Sequence, residues 1–373
     1  HSHQAWPDLG LEAQQRAWLD AAELVDGKWE RAFAQAERVR HGYAALLDDP
    51  DGDYALGANT HELVVRFLSA LPLRERPVLV TTDGEFHTLR RQLDRLAEEG
   101  VELRKLPAEP TEDLADRLAA QVDDRTAAVL VSCVLFRSGR IVRGLEAVQA
   151  ACERHGAELL VDAYHACNVV PFSLRSEGLA RAFVTGGGYK YCQLGEGNAF
   201  LRIPPGCKLR PVITGWFAEF ADLAAAPHDD RVAYGDGAVR FAGATYDPVS
   251  HYRAAAVWTF FADQGLTPTS LRAISRHQIA RLAAGFDDLD LDPALVTRDR
   301  ATPLDEIGGF LVLQSPHAGT LCRALRERGV WTDHRDQALR FGPAPYLGDR
   351  QLDTAMALLG EAAHATREQG DWT

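Results

Sequence analysis

Short apolar runs alternate with amphipathic stretches over most of residues 57–203. Continuous apolar runs are typical of strands buried on both faces, and apolar residues at helical spacing are typical of helices that cover a sheet. The predicted strands are 77–81, 102–106, 127–134, 158–161, 182–185 and 199–203. The predicted helices are 63–71, 88–99, 111–122 and 144–155. This alternation predicts an α/β fold with a mostly parallel sheet.

The flanking regions follow other patterns. Residues 11–48 carry apolar side chains at helical spacing and predict one or two helices, whereas 204–250 are irregular and rich in Pro, Gly and aromatic residues. Helices are then predicted from about 251, at 270–287, 317–328 and 349–367, with strands at 309–314 and 330–332. We therefore expect an N-terminal helical segment (1–45) that packs with the small domain, a large domain (46–250) and a small α+β C-terminal domain (251–373).

Length and composition narrow the class of protein. A chain of 373 residues is long enough for about two domains. The net charge of −13 argues against nucleic acid as the main partner, and no apolar stretch is long enough to predict a membrane span. The six cysteines form no C-x-x-C pair, so we predict neither a metal site nor a disulfide framework, and a reducing cytoplasm is expected. His1-Ser2-His3 is typical of a trimmed tag, not of a signal sequence.

The candidate chemistry centres on Lys190, one of only four lysines in the chain. It follows three glycines just after the predicted strand 182–185, and Asp162 ends the predicted strand 158–161. Ligands of open α/β sheets bind at the carboxyl ends of the strands, so both side chains can converge there. A lysine that forms an imine and a carboxylate that keeps a pyridine nitrogen protonated are what pyridoxal phosphate (PLP) chemistry needs. A lysine alone in such a place is more often an ordinary surface residue.

Other enzyme classes lack their motifs. The glycines near Lys190 give neither G-x-G-x-x-G at a strand–helix junction nor G-x-x-x-x-G-K-[ST], which excludes the Rossmann and P-loop hypotheses. G-x-S-x-G and H-E-x-x-H are also absent from the sequence, which argues against a serine hydrolase of that type and against a zincin. A non-catalytic PLP-binding protein would be expected to have lost Lys190, Asp162 or Arg340, and all three are present.

Several ordered blocks carry a resemblance to a known family. They are Asp162-x-x-His165, Tyr189-Lys190-Tyr191, Gly215-Trp216-Phe217, Arg240–Thr245, Gly329-Val-Trp-Thr-Asp-His-Arg335 and Leu339-Arg340-Phe341-Gly342. From about residue 57 onwards the chain resembles PLP enzymes of fold type I, aminotransferase class V, and within that class it is most similar to kynureninase. The resemblance implies PLP as cofactor and the fold of the aspartate aminotransferase-like transferases.

The resemblance also assigns roles around the cofactor ring. Lys190 would form the imine with the cofactor aldehyde and later move protons. Asp162 would pair with the pyridine nitrogen, and His165 would orient that carboxylate, although a buried core histidine is the simpler alternative. Tyr189 resembles the family tyrosine that touches the phosphate and takes part in proton transfer, which makes it a fourth predicted catalytic residue. Phe86 is the candidate for stacking on the ring, with His87 as its rival.

Phosphate and substrate contacts complete the predicted site. Asn59, Thr60 and His61 begin a predicted helix, whose N-terminus suits a phosphate; an ordinary N-cap is compatible with that role. Trp216 and Thr245 resemble residues that reach the phosphate of a neighbouring subunit, which implies a homodimer with shared active sites. Arg340 resembles the arginine that binds the substrate α-carboxylate, for which a planar guanidinium is well suited.

The implied reaction is the kynureninase-like hydrolytic cleavage of a β,γ carbon–carbon bond in kynurenine or a related amino acid. One block departs from the pattern, because Leu89 stands where kynureninase has the aspartate of Phe-Pro-Thr-Asp. A class V β-lyase or an aminotransferase of a secondary pathway therefore stays open. A cysteine desulfurase is disfavoured, because Cys322 is the only cysteine of the second domain and lies in a helical pattern.

Overall fold

A computed structural model describes residues 3–222 and 231–368. Its larger sheet has seven strands in the order β1-β7-β6-β5-β4-β2-β3, and the five strands from β6 to β3 run parallel. β7 is antiparallel to both β6 and β1. These strands are β1 (Asp53–Gly57), β2 (Val78–Thr82), β3 (Glu102–Leu106), β4 (Thr126–Ser132), β5 (Glu158–Asp162), β6 (Phe183–Gly187) and β7 (Ala199–Ile203).

A smaller antiparallel sheet follows later in the chain, in the order β8-β10-β9. Its strands are β8 (Leu311–Gln314), β9 (Asp333–Arg335) and β10 (Ala338–Phe341). The helices are α1 (Leu9–Leu24), α2 (Lys28–Leu46), α3 (Thr60–Ala70), α4 (His87–Glu98), α5 (Leu114–Ala119), α6 (Leu145–His155), α7 (Val249–Asp263), α8 (Pro268–Asp288), α9 (Ala318–Glu327) and α10 (Asp349–Glu368). The predicted α/β fold with a smaller α+β part is confirmed.

Two strands, β1 and β10, are not predicted by the sequence, and a third lies a few residues from its predicted position. β1 is an edge strand that begins at a charged residue after an acidic turn, so it lacks the apolar run of a central strand. β10 contains Arg340, and the sequence indicates a binding motif there and no strand. The strand predicted at 330–332 lies instead at β9, because the paired register runs from Asp333 to Arg335.

Helices cover both faces of the larger sheet. Leu63 and Phe67 of α3 pack on one face, and Val39 and Tyr43 of α2 belong to the core of the other. α1 and α2 also contact α7. α8, α9 and α10 enclose a second core on the smaller sheet. The division of the chain at residues 45 and 250 stays a prediction.

None of the helices in the described ranges combines the length and the apolar character needed to cross a membrane. In the same part of the chain, no cluster of three or more His, Cys, Asp or Glu residues has the arrangement of a metal site.

Candidate active site

The site forms where β5 and β6 end side by side. Asp162 is the last residue of β5 and lies opposite Thr185 of β6, while Lys190 lies three residues beyond β6. The chain then turns back into β7, and the turn is closed by a hydrogen bond of 2.8 Å from the Gly188 N–H to the Asn198 carbonyl. A Cβ on Gly187 would lie 2.6 Å from the Tyr164 ring, so any side chain at this position would displace that ring.

A cavity of about 380 Å³ opens at these strand ends, which is large enough for a cofactor. Eight of the predicted site residues line it: Asn59, Thr60, His61, Phe86, Asp162, His165, Tyr189 and Lys190. The sequence did not single out four further polar lining residues: Thr88, Tyr164, Glu196 and Asn198. Tyr164 lies in the sequence between Asp162 and His165, and this position is the signal from which its place in the cavity could have been predicted.

Lys190 is only 6% exposed. Its Nζ lies 5.0, 5.6 and 6.0 Å from the ring centroids of Tyr189, Tyr164 and Phe86. Burial, and next the positive charge of Arg340, lower the pKa of the amine to about 8. At neutral pH a larger fraction of this amine is unprotonated, and therefore nucleophilic, than in an ordinary lysine.

Asp162 and His165 are buried next to the lysine. The Asp162 Oδ1 accepts the backbone N–H of Tyr164 at 2.9 Å. Burial outweighs this hydrogen bond and the charge of Lys190, and it raises the pKa of Asp162 to about 6. Burial, followed by the charges of Lys190 and Arg340, lowers the pKa of His165 well below its usual range, so the ring is neutral at pH 7.

The N-terminus of α3 forms another part of the cavity wall. Asn59 is its N-cap, with the side-chain Oδ1 accepting the Glu62 N–H at 3.0 Å. The first turn of a helix carries partial positive charge and N–H groups without helical acceptors, which suits a phosphate. Thr60 and His61 belong to that first turn.

Phe86 and His87 occupy different surroundings. Phe86 lines the cavity, whereas His87 is exposed and is not among the lining residues, and its ring packs 5.5 Å from that of Phe136.

Leu89 is fully buried in a core cluster of the large sheet. The position at which kynureninase carries an aspartate therefore belongs to the hydrophobic core in this protein.

Three predicted site residues lie outside the cavity lining. Trp216 and Thr245 are exposed, and their segments meet through a hydrogen bond of 3.1 Å from the Phe217 N–H to the Gly243 carbonyl. Arg340 is 2% exposed. Its guanidinium donates to the Asp333 carboxylate, and Arg340 is not among the residues that line the cavity.

Glu85 is a buried carboxyl next to the site that the sequence did not reveal. It is 1% exposed, and the Ser132 and Thr82 hydroxyls lie 2.6 and 2.7 Å from its oxygens. Ser132 lies opposite Asp162 across β4 and β5. Burial raises the pKa of Glu85 to about 7. Its position in a polar turn gave no signal of burial.

The residues present fit PLP. Lys190 supplies an amine of which a larger fraction is unprotonated near neutral pH than in an ordinary lysine, Asp162 is a carboxylate on the adjacent strand, and Phe86 provides a flat apolar surface beside them. The α3 N-terminus lines the same cavity and provides a place for the phosphate.

No protein-family model matches the chain, but individual proteins are similar to it. A Bacillus subtilis (strain 168) protein named uncharacterized aminotransferase YcbU is 23% identical over 252 residues, which are 67% of this chain and 65% of that protein. A kynureninase from Bacillus cereus is 25% identical over 245 residues, 61% of this chain and 52% of that enzyme. The match thus spans between about half and two thirds of these relatives.

Solved structures match nearly the whole chain. A C-DES variant with glycine covalently linked to its PLP cofactor superimposes with a TM-score of 0.82 at 17% identity, covering 96% of this chain and 94% of that one. The apo cysteine desulfurase of Thermococcus onnurineus NA1 gives a TM-score of 0.78 at 16% identity, covering 97% and 93%. This likeness shows that the chain has the fold of these enzymes, as the resemblance in the sequence predicted.

Proposed function

We propose that this protein is a PLP-dependent enzyme that acts on an α-amino acid. The observation that carries the proposal is Lys190: a buried amine with a pKa of about 8, adjacent to the carboxylate of Asp162 at the ends of neighbouring parallel strands. The distant similarity to an aminotransferase and to kynureninase supports the same class.

Each residue has a distinct task in this proposal. Lys190 would hold the cofactor aldehyde and would carry a proton at the substrate Cα. Asp162 would hold the pyridine nitrogen, Phe86 would lie against the ring, and the N-terminus of α3 would hold the phosphate. PLP supplies an electron-accepting ring that stabilises negative charge at Cα. His165 is neutral and lines the same cavity as Asp162, which we expect it to orient, and the Tyr189 ring lies 5.0 Å from the lysine Nζ.

Kynureninase-like hydrolysis is the reaction we propose first. Water would cleave the β,γ bond of kynurenine or a relative, giving alanine and the carboxylic acid of the side chain. The sequence blocks around Lys190, Trp216 and Arg340 support it, as does the 25% identity to the Bacillus cereus enzyme. Arg340 would bind the α-carboxylate.

A β-elimination is the second candidate, and Leu89 favours it. This leucine fills a core position, so the chain has no carboxylate where kynureninase has its aspartate. A structure described as a complex of the cystine C–S lyase C-DES with cysteine persulfide superimposes with a TM-score of 0.81. None of the six cysteines is exposed or lines the cavity, and the Cys322 Sγ donates to the Thr332 carbonyl at 3.4 Å, which argues against a desulfurase with a mobile cysteine.

We also propose a homodimer with shared active sites. Trp216 and Thr245 lie outside their own cavity and are exposed, as expected of residues that reach the phosphate of a second subunit.

The test is absorption spectroscopy of the purified protein with PLP, followed by analysis of products. A visible band that borohydride abolishes, leaving the cofactor attached to Lys190 through a stable C–N bond, would establish the cofactor. L-kynurenine should then yield anthranilate and alanine. If the second candidate is right, L-cystine and water should yield pyruvate, ammonia and cysteine persulfide. Transfer of the amino group without ammonia would identify an aminotransferase. A protein that develops no band with PLP would refute the catalytic proposal as a whole.

A further inference from the structure

Arg340 is held by several contacts behind the cavity. Its Nε and Nη2 each donate to an oxygen of Asp333 at 2.7 Å, and its Nη1 donates to the Phe136 carbonyl at 2.5 Å. A guanidinium has five N–H groups. Three are engaged, and one remains on each of Nη1 and Nη2, enough for a second carboxylate bound through two oxygens.

The surroundings of Arg340 connect it to the cavity wall. Its guanidinium carbon lies 5.6 Å from the Phe310 ring, which packs 6.1 Å from the His165 ring. Phe136, whose carbonyl holds Nη1, packs 5.4 Å from Phe86. The charge of Arg340 also lowers the pKa values of Lys190 and His165, which line the cavity. Arg340 therefore lies directly behind the residues that surround Lys190.

Asp333 is placed to orient this guanidinium. It lies on β9 directly opposite Arg340 of β10, so the backbone register sets the position of the carboxylate. Its side chain is 19% exposed and that of Arg340 is 2% exposed. A largely buried bidentate pair restricts the plane of the guanidinium, because rotation would leave a buried charge unpaired.

We propose that Asp333 is a positioning residue, which fixes Arg340 so that its two remaining N–H groups receive the α-carboxylate of the amino-acid substrate. The proposal rests on the proposed function, because it needs an amino acid in the cavity. It extends the proposed function by assigning recognition of the substrate α-carboxylate to Arg340 and Asp333, a pair of residues on one hairpin. If Asp333 instead occupied the N–H groups of Arg340 that the substrate needs, its carboxylate would weaken substrate binding.

The test compares L-alanine with ethylamine, which lacks the carboxylate, as ligands of the PLP-loaded protein. Binding is followed by the change in the visible spectrum. For Asp333→Asn we expect the dissociation constant of L-alanine to rise roughly 10- to 100-fold, as is typical when an orienting partner is lost, with the value for ethylamine unchanged. Asp336→Asn is the matched control, because Asp336 lies on the same hairpin, is exposed and pairs with Arg137 at 3.2 Å.

A double variant separates positioning from general damage. If Asp333 acts through Arg340, Asp333→Asn should have no further effect on L-alanine binding in an Arg340→Ala background. Unchanged or tighter binding of L-alanine in Asp333→Asn, or an equal loss for ethylamine, would overturn the positioning role while leaving the proposed function intact. Failure of the unmodified protein to bind PLP would overturn both.

Discussion

At the scale of single residues, burial changes the protonation of the groups around the cavity. Three aromatic rings surround the amine of Lys190, and two hydroxyl groups and one backbone N–H surround the carboxyl of Glu85. Removing water from a charged group disfavours that charge, so the pKa of the lysine falls and that of the glutamate rises. Both changes can be measured.

We expect the rate of PLP binding to depend on the protonation of Lys190. Only the unprotonated amine attacks an aldehyde, so the rate constant should rise about tenfold per pH unit at low pH and level off above about pH 8. Stopped-flow measurement of the visible band after mixing apoprotein with PLP tests this. A rate that still rises steeply at pH 10 would show an amine with the ordinary pKa of lysine.

Glu85 should make stability depend on pH. Its pKa is about 7 in the folded protein, above the reference value of 4.5, so its contribution to stability is complete below pH 4.5 and is lost as the pH rises through 7. Glu85→Gln removes the ionisation. The free energy of unfolding of the variant, relative to that of the unmodified protein, should therefore increase as the pH rises from 4.5 to above 7, by at most roughly 3 kcal/mol.

Urea unfolding of the apoprotein at both ends of this pH range measures the effect. Glu98→Gln, at an exposed glutamate of α4, is the control, and its difference from the unmodified protein should vary little with pH. A Glu85→Gln difference that is the same at both pH values would contradict the raised pKa.

At the scale of elements, α8 connects the two cores, since Leu271 belongs to the core of the large sheet and Ile279 to that of the small one. Between them, Ser275 is 5% exposed, and its hydroxyl has no hydrogen-bond partner among the described residues. Ser275→Ala should therefore stabilise the protein by about 1 kcal/mol, because it removes an unpaired buried hydroxyl and improves helix propensity.

Ser270→Ala on the same helix is the matched control. The Ser270 Oγ lies 2.9 Å from the Thr267 carbonyl and 3.1 Å from the Gly265 carbonyl, so its O–H has an acceptor and its loss should not stabilise the protein. Thermal unfolding of the two variants gives the comparison. Destabilisation by Ser275→Ala would indicate that an ordered water binds this hydroxyl.

How far the sequence predicts the structure can also be judged from particular elements. Buried parallel strands are continuously apolar, so β4 to β6 and the convergence of Asp162 with Lys190 were predictable. Glu85 and Asp333 were not, since their surroundings depend on cross-strand neighbours: Ser132 is 47 positions from Glu85, and Asp333 meets Arg340 only through the hairpin register. Periodicity along the chain carries no information about such pairs.

At the scale of the whole molecule, an exposed aromatic surface fits the proposed homodimer. We call Phe33, Trp216, Phe217 and Phe220 the Trp216 patch. Trp216 is 45% exposed and Phe220 48%, and their rings lie 5.4 Å apart. Contiguous exposed apolar surface is typical of an interface between proteins. The patch also lies next to the segment that contains Thr245, through the contact between Phe217 and Gly243.

Phe220→Asp should convert the dimer to monomers, because a charge in an apolar interface loses its hydration. Sedimentation velocity at micromolar concentration gives the oligomeric state. The control is Trp331→Ser, at an exposed tryptophan that packs against Arg326 outside the patch and should leave the dimer intact. A monomeric unmodified protein, or a dimeric Phe220→Asp variant, would contradict the assignment of this surface.

The turn between β6 and β7 has a consequence for folding. Lys190, Gly195, Glu196, Gly197 and Asn198 all line the cavity from this one antiparallel connection, so they come together through contacts between near neighbours in sequence. Asp162 and Phe86 reach the same cavity only after parallel strands have paired over long loops, and Asn59 only after β1 has paired antiparallel with the sequence-distant β7. Such long-range pairing is slow. During refolding, far-ultraviolet circular dichroism should therefore recover before the capacity to bind PLP, and the cofactor would report the last stage of sheet assembly.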